Sequence, residues 1–295
     1  MSYGPNPWQQ TAWDWRAAGN FIGGGAGGGL IVFAALEAAL GSSSPIRFAC
    51  GSVLIALGLS CVWLEIGRPL RALHVYLNPR LSWMSREAIL AGLLLPCSVA
   101  AVFGLPGAAP VAGVLALSFV YAQARMLNAA KGVPAWRAPR VVPLLVCTGL
   151  AEGGGVFLLS SLLHGSGSVA LTVVAALLIV ARWALWRRYR GALAAARGAL
   201  AALDAAAPVL RWIGSAAPLA LIGAALALVL VGNGTIDAGV AGVAAALAGV
   251  GALLGGAWFK LILVTRAGFN QGFALSRLPV RGVRRAATPT PDAAA

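Results

Sequence analysis

The sequence predicts an all-α polytopic membrane protein, a bundle of eight transmembrane helices. Three observations carry this reading. The 295 residues are 60% hydrophobic and only 10% charged, with a mean hydropathy of +0.85, whereas a soluble domain carries about 25% charged residues. That balance excludes a single soluble globule, a disordered chain, a secreted disulfide scaffold and a coiled coil. Apolar runs long enough to cross a bilayer, about 20 residues each, recur along the chain. Finally, 22 Lys and Arg stand against 8 Asp and Glu, a formal +14. These cations lie between the apolar runs, so they read as a topology signal rather than a nucleic-acid footprint.

The elements follow in order. Residues 1–19 hold Trp8, Trp13 and Trp15 and suit a segment lying at the membrane interface. They show no basic stretch followed by an apolar run and a cleavage site, so no signal peptide is expected. A transmembrane domain, 20–276, then carries spans at 20–40, 46–66, 87–105, 108–128, 141–163, 168–189, 213–232 and 238–263. The first span contains Gly23-Gly24-Gly25-Ala26-Gly27-Gly28-Gly29 and the fifth Gly153-Gly154-Gly155. A formal GxGxxG at Gly23, Gly25 and Gly28 has no strand before it, so it predicts a close-packed helix seam rather than a nucleotide site. A short turn from Gly104 to Pro110 separates spans three and four. The tail, 277–295, is basic and then Ala/Thr/Pro-rich, which predicts disorder.

Eight spans put both termini on the side of the loops after spans two, four and six. Assigning every Lys and Arg to its nearer end places 21 on that side, Arg182 and Lys260 among them, and Arg47 alone on the other. The positive-inside rule then predicts a multi-pass protein of the bacterial inner membrane with both termini cytoplasmic.

Few groups are available for chemistry. Cys50, Cys61, Cys97 and Cys147 form no CxxC and are expected to be small buried hydrophobes. His74, in the second inner loop, and His164, at the outer end of span five, fall on opposite faces and cannot share one iron. With no CxxCH present, neither a haem nor a metal of its own is expected. Ionisable groups in lipid are functional candidates by default: Glu37 late in span one, Glu65 at the inner end of span two, Glu87 opening span three, and Glu152 mid-way along span five. The densest constellation runs from Trp63 to Glu87, with Glu65, Arg68, Arg71, His74, Arg80, Arg86 and Glu87, shaped by Pro69 and Pro79 and anchored by Trp63, Tyr76 and Trp83. Read as a solvated loop it is a basic interface. Read as a site it is a polar pocket at the end of a helix pair, where Glu65 and His74 exchange protons and arginines orient an oxygen-rich headgroup. Apolar walls with a few convergent polar groups suit an amphiphilic ring such as a quinone.

The same stretch resembles the DmsC/NrfD-like membrane-anchor family of molybdopterin oxidoreductases. The matching pattern is Gly67-Arg68-Pro69, Arg71, Asn78-Pro79 and Ser82-Trp83-Met84-Ser85-Arg86-Glu87, with Glu152-Gly153-Gly154 in span five. The resemblance implies a subunit without redox cofactors that anchors an iron–sulfur subunit, itself bound to a molybdopterin catalytic subunit. Ubiquinone or menaquinone would react near the interface with the iron–sulfur partner. Glu65, His74, Arg68, Arg71, Asn78, Trp83, Arg86 and Glu87 are then the candidates for quinone binding or proton exchange, and Glu152 and Glu37 mark a further intramembrane polar site. The DMSO reductase branch has His two residues before the Gly of the loop motif and the polysulfide reductase branch tends to Asp, whereas this chain has Glu65. Within the family it most resembles anchors found with phenylacetyl-CoA:acceptor oxidoreductases or sulfite dehydrogenases. Because the motif loop lies on the positive face, the resemblance implies cytoplasmic partners. Two alternatives stay open at this point: a proton-translocating subunit of the same family, using Glu152 and Glu37, and a small-molecule transporter built around the glycine runs.

Overall fold

The computed structural model describes residues 7–65, 69–130, 132–164, 166–193, 196–231, 236–237 and 239–272. The tail predicted from 277 onward lies outside them. The fold is all-α, with eight helical crossings among the described residues long and apolar enough to span a membrane. They are α1 (Trp15–Ala39), α2 (Pro45–Trp63), α3 (Trp83–Val102), α4 (Ala108–Asn128), α5 (Val141–His164), α6 (Val169–Ala192), a seventh made of α7 (Arg197–Pro208), a π-helical segment Val209–Ala216 and α8 (Ala217–Val231), and α9 (Val240–Thr265). A 3-10 helix, Pro69–Leu77, joins α2 to α3. Helices satisfy their backbone groups internally, which is what a bilayer demands of a spanning segment.

Local chemistry sets the ends. Asp14 caps α1 by accepting from the Arg16 amide (2.8 Å), and Ser82 caps α3 by accepting from the Ser85 amide (3.3 Å). Gly41 and Gly104 follow the last helical turns of α1 and α3 at positive φ, +89° and +70°, where a side chain is strained. These caps explain why α1 and α3 begin at Trp15 and Trp83, before the positions 20 and 87 expected from hydropathy. The seventh crossing differs most. It runs unbroken for 35 residues from Arg197, whereas the sequence reading began it at 213. Charges at Asp204 and Arg211 interrupt the apolar pattern, yet the alanine-rich stretch still favours helix, and Asp204 is held by Arg190 at 2.6 and 2.8 Å.

The parity of the crossings is visible in the structure. Near one end of the bundle, Gln10 N donates to Gly268 O (2.7 Å) and Trp8 N to Asn270 Oδ1 (3.2 Å), so the two terminal segments meet. At the other end, the two-residue strands β1 (Ser166–Gly167) and β2 (Ile236–Asp237) pair antiparallel across the loops after α5 and α8. An even number of crossings is the simple way to bring these segments together.

α1 and α5 form the centre, with 67% and 72% of their spanning windows buried against 28–50% for the other crossings. Glycine permits this. A Cβ on Gly27 would lie 2.5 Å from Gly51 O of α2, one on Gly29 would strike Gly149 O, and one on Gly155 would lie 2.5 Å from Gly249 O of α9. The GxGxxG run is therefore a packing seam, as small residues in membrane helices commonly are.

Two sequence expectations need correction. Arg182 and Lys260 were assigned to the inner loops, but both side chains are buried inside the bundle, 0% and 2% exposed. The likewise buried Arg47 is paired with Glu37. These cations are structural partners rather than interfacial charges, so the bias rests on the remaining arginines and Lys131. The cysteines also divide: Cys147 is buried, Cys61 and Cys97 are partly buried, and Cys50 is exposed on the outer face of α2. An apolar residue at that position faces lipid at no cost.

Candidate functional site

At the end of the bundle where the termini meet, α1, α2, α3 and the 3-10 helix border an open cavity of about 540 Å³. Its walls are Leu59, Val62, Trp63, Leu73, Val75 and Tyr76, and its polar groups include Asn20 and Glu87. A second cavity of about 190 Å³ shares Asn20, Val62, Met84 and Glu87 with the first and extends towards Trp13, Glu65 and Met126. The two adjoin at Asn20 and Glu87, which line both, and are together termed the chamber.

Three helices build that junction. Glu87 lies in the second turn of α3, placed there by the Ser82 cap, and is buried. Asn20 Nδ2 of α1 and Gln123 Nε2 of α4 both donate to Glu87 Oε1 at 3.0 Å, and Gln123 Nε2 also donates to Asn20 O at 3.0 Å. Gly24 makes room for this: a Cβ there would overlap the Gln123 amide. Asn20 Oδ1 is buried and has no hydrogen-bond partner. A buried acceptor without a partner costs roughly 1–3 kcal/mol, so its place beside a chamber marks it for a donor from outside the protein.

Glu65 sits at the smaller cavity, just beyond the end of α2. Burial pushes its carboxyl above the ordinary glutamate range, Asp14 adds to this, and Arg16 opposes it. Arg16 also donates to Leu64 O (3.0 Å) and pairs with Asp14 (2.8 Å), joining the start of α1 to the end of α2. Hydrogen bonds from Arg16 hold the Asp14 carboxyl below its usual range.

The cluster predicted between Trp63 and Glu87 is thus divided in space. Glu65, Glu87, Trp63 and Tyr76 border the chamber. His74, Asn78 and Arg80 are exposed. Trp83 and Arg86 face a different groove: Arg86 stacks on Trp83 (4.2 Å to the ring centroid) and donates to Pro79 O (2.8 Å) and Arg80 O (2.9 Å), fastening the loop before α3. The side chains of Arg68, Arg71 and His164 lie outside the described residues.

A second polar group occupies the other side of α1. Lys260 Nζ of α9 donates to Glu152 Oε2 of α5 (2.5 Å) and to Phe21 O of α1 (2.7 Å). Arg182 of α6 donates to Ala252 O (2.9 Å) and to Gly214 O in the π-helical segment. Gly25 and Gly256 leave room for Lys260 and for Glu152 and Arg182 respectively. Further along α1, Glu37 pairs with Arg47, which also donates to Ser160 Oγ (2.9 Å) and lies over the Phe157 ring. Sequence reasoning named Glu37, Glu87 and Glu152 but missed Asn20, Gln123, Arg47, Arg182 and Lys260 as their partners. The available signal was position: Asn20, Gln123, Arg182 and Lys260 all lie inside apolar runs, away from the loops.

Among the described residues no group of three or more His, Cys, Asp or Glu could hold a metal ion. Neither the comparison with protein-family models nor that with curated proteins yields a match. Fold and site together define a polytopic, all-α membrane protein with a chamber at its charged end and buried ion pairs along its central helix. That architecture is consistent with the general fold of the anchor family its loop motif resembles.

Proposed function

We propose that this chain is the membrane subunit of a multisubunit molybdopterin/iron–sulfur oxidoreductase, exchanging electrons between an iron–sulfur partner and the quinone pool. The observation that carries the reading is the Glu87–Asn20–Gln123 cluster at the junction of an apolar chamber. A quinone ring needs apolar walls, one or two donors and acceptors for its oxygens, and a group that exchanges protons. The chamber offers Leu59, Val62, Trp63 and Tyr76 as walls, and the unpartnered Asn20 Oδ1 and the Glu87 carboxyl at its base. The quinone supplies two-electron chemistry coupled to protons. Asn20 Oδ1 would accept from a hydroxyl of the quinol form, Glu87 would exchange the headgroup proton, Gln123 would hold the Glu87 side chain in place, and Glu65 would pass protons between Glu87 and the aqueous side. The loop motif and the arginine bias support partners on the cytoplasmic face.

The test is a binding and turnover pair. A quinone analogue should bind the wild-type complex and bind Glu87→Ala at least tenfold more weakly, while assembly is unchanged. Quinone-linked electron transfer by Glu87→Ala should fall about 10²-fold or more, the usual contribution of a positioned proton-transfer group. Unchanged binding and turnover in an intact complex would overturn the reading.

A second reading has one observation in its favour. Lys260 and Gln123 donate to consecutive α1 carbonyls, Phe21 O and Asn20 O, so the chamber cluster and the Glu152–Lys260 pair lie on two sides of one helix turn. That arrangement supports a subunit that also moves protons. Acidification or alkalinisation of the lumen of proteoliposomes during turnover, abolished by Glu152→Gln, would establish it, and its absence would leave electron transfer alone.

A further inference from the structure

A second cavity system lies away from the chamber and shares no lining residue with it. It is an open groove of about 680 Å³ on the outer surface of the bundle, walled by Ile89 and Leu90 of α3, Leu117 of α4 and Val146 of α5. Trp83, Arg86 and Tyr121 close one end. There Arg86 and Arg125 both lie over the Trp83 ring, at 4.2 and 4.6 Å from its centroid, which keeps the two guanidinium carbons within about 9 Å of each other, comparable to the Debye length of about 8 Å in physiological salt. Arg125 Nη1 donates to Tyr121 Oη (3.0 Å), and Arg125 Nε is buried without a partner. Among the described residues neither arginine forms an ion pair with a carboxylate. Glu87, one residue from Arg86, turns inward to Asn20 and Gln123 instead.

Two cations held on one indole repel each other, and among the described residues no carboxylate pairs with either. Their height supplies the missing partner. Trp83 opens α3 and Arg125 lies in the last turn of α4, so the pair stands at headgroup level, and the apolar groove runs from it into the hydrocarbon region. We infer that this groove seats an anionic phospholipid, its phosphate bridging Arg86 and Arg125 and one acyl chain lying along Leu90, Leu117 and Val146. Charge chooses the class: a zwitterionic lipid brings its own cation to the same place, and a quinone headgroup brings no negative charge. Trp83 and Tyr121 add the amphipathic aromatic rings favoured at this depth. The site would tie α3 to α4 from the lipid side and so brace the wall of the chamber.

Native mass spectrometry of the full chain, released from mixed micelles holding equal phosphatidylglycerol and phosphatidylcholine, tests this. The wild type should retain one phosphatidylglycerol with about fivefold preference or more, the attraction expected of each arginine near an anionic headgroup. Arg125→Gln should cut that preference about fivefold, leaving the share of Arg86, and Arg125→Lys should keep most of it. Leu117→Trp changes a lipid-exposed position, leaves the charges intact, and should reduce retention of both lipids by filling the groove. Equal retention of the two lipids by the wild type, or undiminished phosphatidylglycerol on both Arg125→Gln and Leu117→Trp, overturns the inference. So does displacement of the lipid by a quinone analogue, which would give the groove to the quinone.

Discussion

At the scale of single residues, the chain concentrates its cost and its chemistry in a few buried charges. Lys260 and Glu152 lie within the bundle and bond each other at 2.5 Å. Removing one partner of such a pair leaves an uncompensated charge, worth about 3–5 kcal/mol, whereas replacing both with apolar groups costs far less. Lys260→Met should therefore lower the thermal midpoint in detergent sharply, and Lys260→Met with Glu152→Leu should recover much of it; a double variant as unstable as the sum of the singles would show that the two residues do not act as a unit. Glu65 makes a separate prediction. Its raised pKa means that the folded state favours the protonated form, so this group's stability contribution is full below the ordinary glutamate pKa and is lost as pH rises through the folded value. Thermal midpoints taken between about pH 4 and pH 7 should fall less with rising pH in Glu65→Gln than in the wild type; parallel curves would remove Glu65 from the account. Glutamates were legible in the sequence because an acid in an apolar run stands out. Their partners were not: Lys260 and Arg182 read as flanking cations, since a charge near a span's end is normally interfacial.

At the scale of elements, glycine seams and caps decide which helices are central. Gly153 of α5 lies against Gly29 and Leu30 of α1 so closely that a Cβ would overlap backbone atoms. Gly153→Leu should separate α1 from α5 and cost at least the 1–3 kcal/mol typical of overpacking, read as loss of monodisperse protein in detergent, while the same change at Gly223, which meets nothing within 4 Å, should be tolerated. Ser82→Ala should cost about 1 kcal/mol of stability through the lost cap and, by fraying the turn that carries Glu87, weaken binding of a quinone analogue more than that loss of stability alone. The glycine seam was visible in the sequence as a run of small residues, and the fourth span appears where hydropathy put it, at Ala108–Asn128. The early starts of α1, α3 and the seventh crossing were not, because hydropathy measures the apolar run and is blind to caps and to alanine-rich polar turns.

At the scale of the whole molecule, eight crossings bring both terminal segments to one end and pair the loops after α5 and α8 at the other. Single cysteines placed at Gln10 and Gly132, in a background lacking the native four, should react with an impermeant thiol reagent from the same side of sealed vesicles, and one at Ser42 from the opposite side. The arginine bias predicts that the first side is the cytoplasm. Labelling of Gln10 and Ser42 from one side would contradict the eight-crossing bundle.

The sequence by itself determined the class of the molecule, the number of its crossings and the face that carries its arginines. These follow from composition and charge order, which need no knowledge of which helix touches which. Only the tertiary structure decided how the candidate residues group. Glu87 shares a chamber with Glu65 because α1, α2 and α3 converge there, while Trp83 and Arg86, four residues or fewer away in the chain, turn to the lipid face. Asn20 and Gln123, 103 residues apart, meet at one carboxylate because the glycines of α1 let α4 approach. Proximity across helices depends on packing, and a pattern along one chain carries no record of it.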